Sequence, residues 1–190
     1  MRDIMILALV RHGQTSYNAN GLVQGRINIP MNANGRKQAL ALGKLLKDKE
    51  ETFDRIAASP LSRALETAWI IRNELQMTSS IYVDHQFVER DFYHLDGTRI
   101  ETAMPLVRIK NYKHENYEYD DMMVDRIYRA VMNLYPKFKD KKVLFVAHSH
   151  VIKALLIKAD PVKYTFADLI NHLDIVYFEI SDDSIKVIKK

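Results

Sequence analysis

The chain has 190 residues, 47% of them hydrophobic and 27% charged, proportions that suit one compact globular domain and exclude a disordered chain. It contains no cysteine, which excludes disulfides, thiolate zinc sites and cysteine-nucleophile chemistry. The formal charge of +4 and pI near 9.1 suit an anionic partner, but the basic residues are scattered, which argues against nucleic acid.

In chain order, the first element is the apolar run IMILALV at 4–10, which lacks alternation and is expected as a strand buried on both faces. It is too short for a secretory core and leads into Arg11-His12-Gly13 without a small-residue cleavage site. No other stretch suits a bilayer span. With cysteine absent, this points to a cytoplasmic protein with no membrane partner.

The turn-forming Asn32-Ala33-Asn34-Gly35 opens a helix expected over 37–46. The tetrapeptide NANG occurs at 18–21 and 32–35, but without flanking similarity it marks no repeat. A short strand at 55–58 precedes Ser59-Pro60, which reads as a cap and first-turn signal for a helix over 61–75.

Residues 92–119 are irregular and rich in Tyr, His and Lys. They are expected as an insertion over one end of the sheet and as the place of substrate selection. Within it Tyr112, Tyr117, Tyr119, Lys110, Lys113 and His114 read mostly as a solvated cap.

A helix is expected over 120–135, burying Met122, Met123, Ile127, Val131 and Leu134, with Pro136 as its stop. KVLFVAH at 142–148 is a second strand that wants burial on both faces. Helices over 152–157 and 162–169 follow, then strands over 175–180 and 184–188 joined at Asp182-Asp183. Strands alternating with helices imply a three-layer α/β/α domain spanning the whole chain.

The polar groups crowd onto strand ends. Arg11, His12, Gln14, Thr15 and Asn18 follow the first buried strand, His148-Ser149-His150 closes the second, and Arg63 sits in the first turn after the short strand. Ligands of open α/β sheets bind at the carboxyl ends of strands, so three ends converge on one cationic pocket. Guanidinium forks match phosphate oxygens, and imidazoles donate, accept or attack. Such positive charge can neutralise a phosphoryl group where no metal does so.

Blander readings stand beside these. Arg63 alone reads as a surface residue pairing with Glu66 or Glu74. His148-x-His150 has the spacing of a metal arm, yet no Asp, Glu or His cluster completes it, so no metal is expected. Asp96-Gly97-Thr98 is similar to an aspartate-nucleophile motif, but His94 stands where the nucleophile belongs and no long buried strand precedes it.

The sequence resembles the histidine phosphatase, or phosphoglycerate mutase-like, superfamily. Arg11-His12-Gly13-Gln14-Thr15 matches its Arg-His-Gly-Glu/Gln-Thr fingerprint. QGRINIP at 24–30, NGRKQA at 34–39, SPLSRALETA at 59–68, ERDFYHLDG at 89–97 and VLFVAHSHVI at 143–152 match further segments in family order. The resemblance implies a mostly parallel central sheet and a metal-independent enzyme without cofactor. It implies His12 as nucleophile, Arg11, Arg63 and His148 as phosphoryl clamp, and Asn18 as a further donor.

By the same resemblance Glu89 is the proton donor and then the base, which calls for a carboxyl pKa well above its solution value. Asp84, Asp91 and Asp96 lie close to it in sequence. Gln24, Gly25, Arg26 and Ser149 are carried over as substrate-binding positions.

The chain departs from the family where Ser149 and His150 stand for glycine and where Tyr93 stands four residues after the acid in place of glycine. These changes predict a narrower pocket, an extra imidazole, or a displaced Glu89. Asn28, Met31 and Asn32 replace the usual Asp, Leu and Thr, with less expected effect. Chain length favours a phosphatase acting on a small phosphorylated metabolite. The alternatives are a phosphoglycerate mutase and a phospho-ligand binding protein without turnover. A monomer or homodimer is expected.

Overall fold

The computed structural model describes residues 3–109, 112 and 114–189. Its centre is a six-stranded sheet in the order β3-β2-β4-β1-β5-β6. These strands are β1 (Met5–Arg11), β2 (Arg55–Ala58), β3 (Tyr82–Val83), β4 (Lys142–Ala147), β5 (Ile175–Ile180) and β6 (Ile185–Lys189). The first four pair in parallel, while β5 and β6 are antiparallel additions at one edge.

The two non-alternating runs occupy β4 and β1 in the middle of the sheet, for the reason their composition gives. Side chains of a strand alternate between faces, and here both faces are covered. Met5, Leu7, Leu9, Val143, Phe145 and Ala147 pack on one side with α5 (Asp120–Phe138) and α6 (Ser149–Ala159). Ala8, Val10, Leu144 and Val146 pack on the other with α2 (Ala33–Asp48) and α3 (Ser62–Glu74). The result is the expected three-layer α/β/α sandwich.

A third apolar cluster of Val23, Phe92, Leu95, Ala103 and Tyr117 lies apart from the sheet and is joined by Met104 and Val107 of α4 (Ile100–Val107). Most of its members come from the 92–119 segment. Tyr117 is buried within it, so the expected solvated cap has an apolar centre. Lys110 and Lys113 fall outside the described residues.

Several helices run differently from the sequence pattern. Asn32 caps α2 by accepting from the Gly35 N–H at 2.8 Å, so the turn-forming stretch is the first turn of the helix. Ser59 does not cap α3. Its N-cap position is Leu61, and Asn28 from a distant loop accepts the Ser62 N–H at 2.8 Å instead.

Pro136 does not stop α5, which continues to Phe138 because the proline costs one hydrogen bond in the last turn while Phe138 stays anchored in the core. Met122 is 52% exposed and does not join the buried stripe.

The expected helix at 162–169 is a series of turns. Asp160 accepts the Val162 and Lys163 N–H groups and Asp168 accepts that of Thr165, so side chains take the backbone donors that a helix would use. No helix of the described residues is long and apolar enough to cross a membrane.

Phe145 is fully buried in β4, its ring 4.0 Å from that of Phe87. Phe145→Ala is expected to cost about 3–5 kcal/mol, read as a shift of the urea unfolding midpoint at unchanged m. A loss below about 1 kcal/mol would show that the layer of α5 and α6 does not depend on this side chain for its packing.

Candidate active site

Parallel pairing brings the carboxyl ends of β1, β2 and β4 to one edge. His12 N–H bonds the Ala147 carbonyl and Ser59 N–H the Val146 carbonyl, so the residues after each strand emerge side by side. Because β5 is antiparallel, its start lies at the same edge, with Leu173 N–H on the Arg11 carbonyl. Four strand termini therefore enclose one site.

At its centre is His12, which is 4% exposed. Its Nδ1 lies 2.8 Å from the Gly13 carbonyl, and Arg63 donates from Nε to its Nε2 at 3.1 Å. A carbonyl only accepts and a guanidinium only donates, so these two contacts place the ring proton on Nδ1 and leave the lone pair on Nε2. Burial first, and then Arg63 and Arg11, hold the ring well below the usual histidine value. His12 is neutral at pH 7, its Nε2 lone pair engaged by Arg63.

Arg63 is fully buried, which sets aside the surface reading. Glu66 pairs with Arg36 instead. Arg63 donates further to the carbonyls of Ile27 and Gly25, both at 2.8 Å. Burial lowers it to about 10 although Glu89 and Asp96 pull it upward, so it stays cationic. Gly25 is packed too closely for a side chain: a Cβ there would lie 2.5 Å from Asp96 Oδ1 and 2.7 Å from the Arg90 carbonyl. The Gly25 N–H in turn donates to Asp96 Oδ1 at 2.7 Å.

Arg11 donates to the Ile170 carbonyl at 2.6 Å, and its Nε is buried without a hydrogen-bond partner among the described residues. His148 is fully buried, its ring centroid 5.2 Å from that of His12. Its Nε2 lies 2.8 Å from Ser59 Oγ, a hydroxyl that can donate to it or accept from it and that also accepts the Leu61 N–H. His148 Nδ1 has no partner among the described residues. An orphaned guanidinium N–H and an orphaned ring nitrogen thus stand in a buried, cationic site.

Glu89 is 4% exposed, with Oε1 accepting the Arg90 N–H at 2.8 Å and Oε2 the His150 N–H at 3.4 Å. The expected elevated carboxyl is not what this pocket produces. Burial pushes Glu89 up, but the His150 ring, the Arg90 N–H and the Arg63 guanidinium outweigh it and bring it to about 2.

The other carried-over positions are arranged around this centre. Asn18 forms a capping box with Thr15 over the short helix α1 (Ser16–Ala19). Gln24 Oε1 accepts from the Thr15 hydroxyl at 2.5 Å, and its Nε2 is buried without a partner among the described residues. Arg26 is held by Asp91 at 3.1 Å and Glu118 at 3.4 Å, its side chain 41% exposed. Ser149 is half-buried as the first residue of α6, beside His148.

Tyr93 does not fill the pocket or displace Glu89: it is 50% exposed, and its nearest ring neighbours are His94 and His114 at 6.2 and 6.1 Å. Its φ of 48° is the left-handed conformation that glycine takes freely.

The sequence reading missed His172, whose Nδ1 lies 2.9 Å from the His12 carbonyl and whose ring is 5.7 Å from that of His12. It missed Thr67, which accepts the Gly13 N–H at 3.1 Å. Among the described residues no group of three or more His, Asp or Glu side chains is placed to hold a metal ion.

A family model described as "Histidine phosphatase superfamily (branch 1)" matches residues 7–188. The chain is 37% identical over 153 residues to an uncharacterised phosphatase, PhoE, of Bacillus subtilis, covering 79% of this chain and 75% of that protein. It is 29% identical over 168 residues to a metal-independent phosphoserine phosphatase of Arabidopsis thaliana, covering 82% of this chain and 69% of that protein. Among solved structures, a phosphoglycerate mutase of Bacillus anthracis matches with a TM-score of 0.87 at 20% identity, over 100% of this chain and 93% of the other. The chain belongs to the histidine phosphatase superfamily and is an enzyme of that family.

The buried imidazoles have a measurable consequence. The unfolded chain takes up protons near pH 6.5 that neutral His12 and His148 cannot take up, so stability falls as pH is lowered through that value and returns above it. Glu89 acts in a lower window, losing its contribution only as pH falls from 4.5 toward 2. Between about pH 7.5 and 5.5 the loss is expected to be about 1 kcal/mol for each ring, and His148→Gln should reduce it. Urea midpoints that do not move across this interval would show that the rings are already charged.

Proposed function

We propose that this enzyme hydrolyses a small phosphorylated metabolite through a phosphohistidine on His12. The observation that carries the reading is the pair of contacts fixing the His12 proton on Nδ1, with Nε2 facing Arg63. The site matches what metal-independent phosphoryl transfer needs: an unprotonated nucleophile, two guanidiniums and a second imidazole with an unpartnered ring nitrogen.

In this mechanism the phosphoryl group exchanges places with the resting contact. Its oxygens take the Arg63 Nε–H from His12, together with donors from Arg11 and His148, freeing the Nε2 lone pair for in-line attack. The P–Nε2 bond forms as the P–O bond of the ester breaks, and Glu89 protonates the departing oxygen. Water then attacks phosphorus, Glu89 accepts its proton, and the P–Nε2 bond breaks to release inorganic phosphate.

Glu89 at about 2 is a carboxylate in the resting site. A bound phosphoryl dianion engages the cations that stabilise that carboxylate and adds negative charge beside it, and both effects raise its pKa. The carboxyl is thereby loaded when there is a leaving group to protonate. The α4 and 92–119 region, with its own apolar cluster, covers the leaving group in this reading, and the relatives named phosphatases favour water as acceptor.

Hydrolysis of 4-nitrophenyl phosphate in excess chelator tests the proposal. The wild-type chain should be active, trap a phosphoenzyme on rapid quenching, and release phosphate without an added acceptor. His12→Ala should lose at least about a thousandfold in kcat/KM. Phosphoenzyme that persists until a monophosphoglycerate is supplied would make the chain a mutase, and binding of phosphate without turnover would make it a phospho-ligand binding protein.

A further inference from the structure

His150 occupies a position where the resemblance calls for glycine, and its side chain has no part in the mechanism above. Its ring Nδ1 lies 3.8 Å from Glu89 Oε2, the oxygen that its own backbone N–H approaches at 3.4 Å. The ring stands edge-on to Phe92, centroids 5.0 Å apart, and stacks on Phe166 at 5.5 Å. Nδ1 is buried and has no hydrogen-bond partner among the described residues. A separation of 3.8 Å is longer than a hydrogen bond, and catalytic contacts in unliganded enzymes are often this loose.

The charges around the ring come from five segments of the chain, the end of α4 supplying Arg108. Glu89 and Arg90 belong to the acid segment, Lys153 to the next turn of α6, and Asp168 to the loop that carries Phe166. Asp120 of α5 holds Arg90 at 2.7 Å, while Asp121 and Arg108 line the same cavity as the ring. Burial and the cations Lys153 and Arg90 oppose a charged His150, and Glu89 favours one. Burial wins, so the ring lies below the ordinary histidine value and rests neutral, and an imidazolium forms there only opposite the Glu89 carboxylate.

Resting on the phosphohistidine reading, we propose that His150 is a positioning residue that takes up a proton from solvent as the phosphoryl group binds and relays it to the Glu89 carboxylate. The Nδ1–H bond of the imidazolium breaks as the Glu89 O–H bond forms, giving a neutral ring and a carboxylic acid. Glu89 gives that proton to the leaving oxygen as the ester P–O bond breaks. The pair is then a carboxylate and a neutral imidazole, its resting state, and the proton that Glu89 takes from the attacking water leaves to solvent by way of the ring. A half-open cavity of about 730 Å³, lined by His150, Arg90, Lys153 and Phe166, gives the ring a route for proton exchange with solvent.

The test compares phenyl phosphate with 4-nitrophenyl phosphate, esters of similar size whose leaving groups differ in their need for a proton. His150→Gln keeps the backbone N–H to Glu89 and much of the ring's volume. Its kcat/KM for phenyl phosphate at pH 7 should fall on the order of tenfold or more, while that for 4-nitrophenyl phosphate falls less than about threefold. The limb of the pH profile that reports the proton donor should shift with it. Equal losses on both esters with a superposable pH profile would leave His150 a packing residue and overturn the proposal.

Should the variant fail to fold, Glu89→Gln in an otherwise intact chain gives a second measurement, the midpoint of the His150 ring titration by NMR. It should fall by at least about one pH unit, and an unchanged midpoint overturns the relay. A wild-type chain that forms no phosphoenzyme would remove the parent reading as well. A phosphoenzyme with an unchanged ester ratio would remove only the role of His150.

Discussion

The hydrogen bond from Arg63 Nε to His12 Nε2 is the contact on which the rest of the site depends. It exists because the fold buries a guanidinium completely and satisfies its other nitrogens with the Ile27 and Gly25 carbonyls. Carbonyl dipoles leave the positive charge uncancelled, unlike a carboxylate partner, so Arg63 remains available to an anion. The same burial that holds Arg63 keeps His12 neutral. A site built in this way is poor as a resting ion pair and good as a receptor for a tetrahedral anion.

The sheet order makes that burial possible. β1 lies between β4 and β5, so the backbone after His12 is flanked by a parallel strand end on one side and an antiparallel strand start on the other. The second neighbour brings the Ile170 carbonyl to Arg11 and the His172 ring to the His12 carbonyl. Helix α2 seals the loop from outside: Gly35 packs where a Cβ would lie 2.2 Å from the Gln14 carbonyl oxygen. The segment that presents His12 is therefore fixed from three directions before any ligand arrives.

The central strands were legible because doubly buried strands have an unambiguous composition, and the strand-end residues because parallel topology fixes where they point. β2 and β5 have the bounds that the sequence indicates. What was not legible arises from contacts remote in sequence. Ser59 reads as a helix cap but serves His148, and α3 is capped by Asn28. The turns at 162–169 carry helical spacing that local Asp side chains override. His172 lies on no recognisable strand end, since only the antiparallel placement of β5 brings it to His12. The charge state of Glu89 was misjudged because burial was visible in principle, whereas its compensating neighbours were not.

The acid segment shows how position is maintained where charge is in conflict. The Glu89 carbonyl accepts from Arg26 at 3.3 Å and Arg126 at 3.4 Å, and both arginines also reach the buried Glu118. Glu118 further accepts the Asp91 N–H at 3.0 Å, so one carboxylate from the start of α5 ties down the backbone on either side of Arg90. Glu118 is held low because the Arg126 contacts outweigh its burial, and so it remains a fixed anion. The backbone of Glu89 is thus anchored by contacts separate from its carboxyl, and the proposed proton relay involves only that carboxyl and the His150 ring. In the proposed mechanism, separating the groups that hold geometry from those that change charge lets the carboxylate alternate between acid and base without moving the segment that carries it.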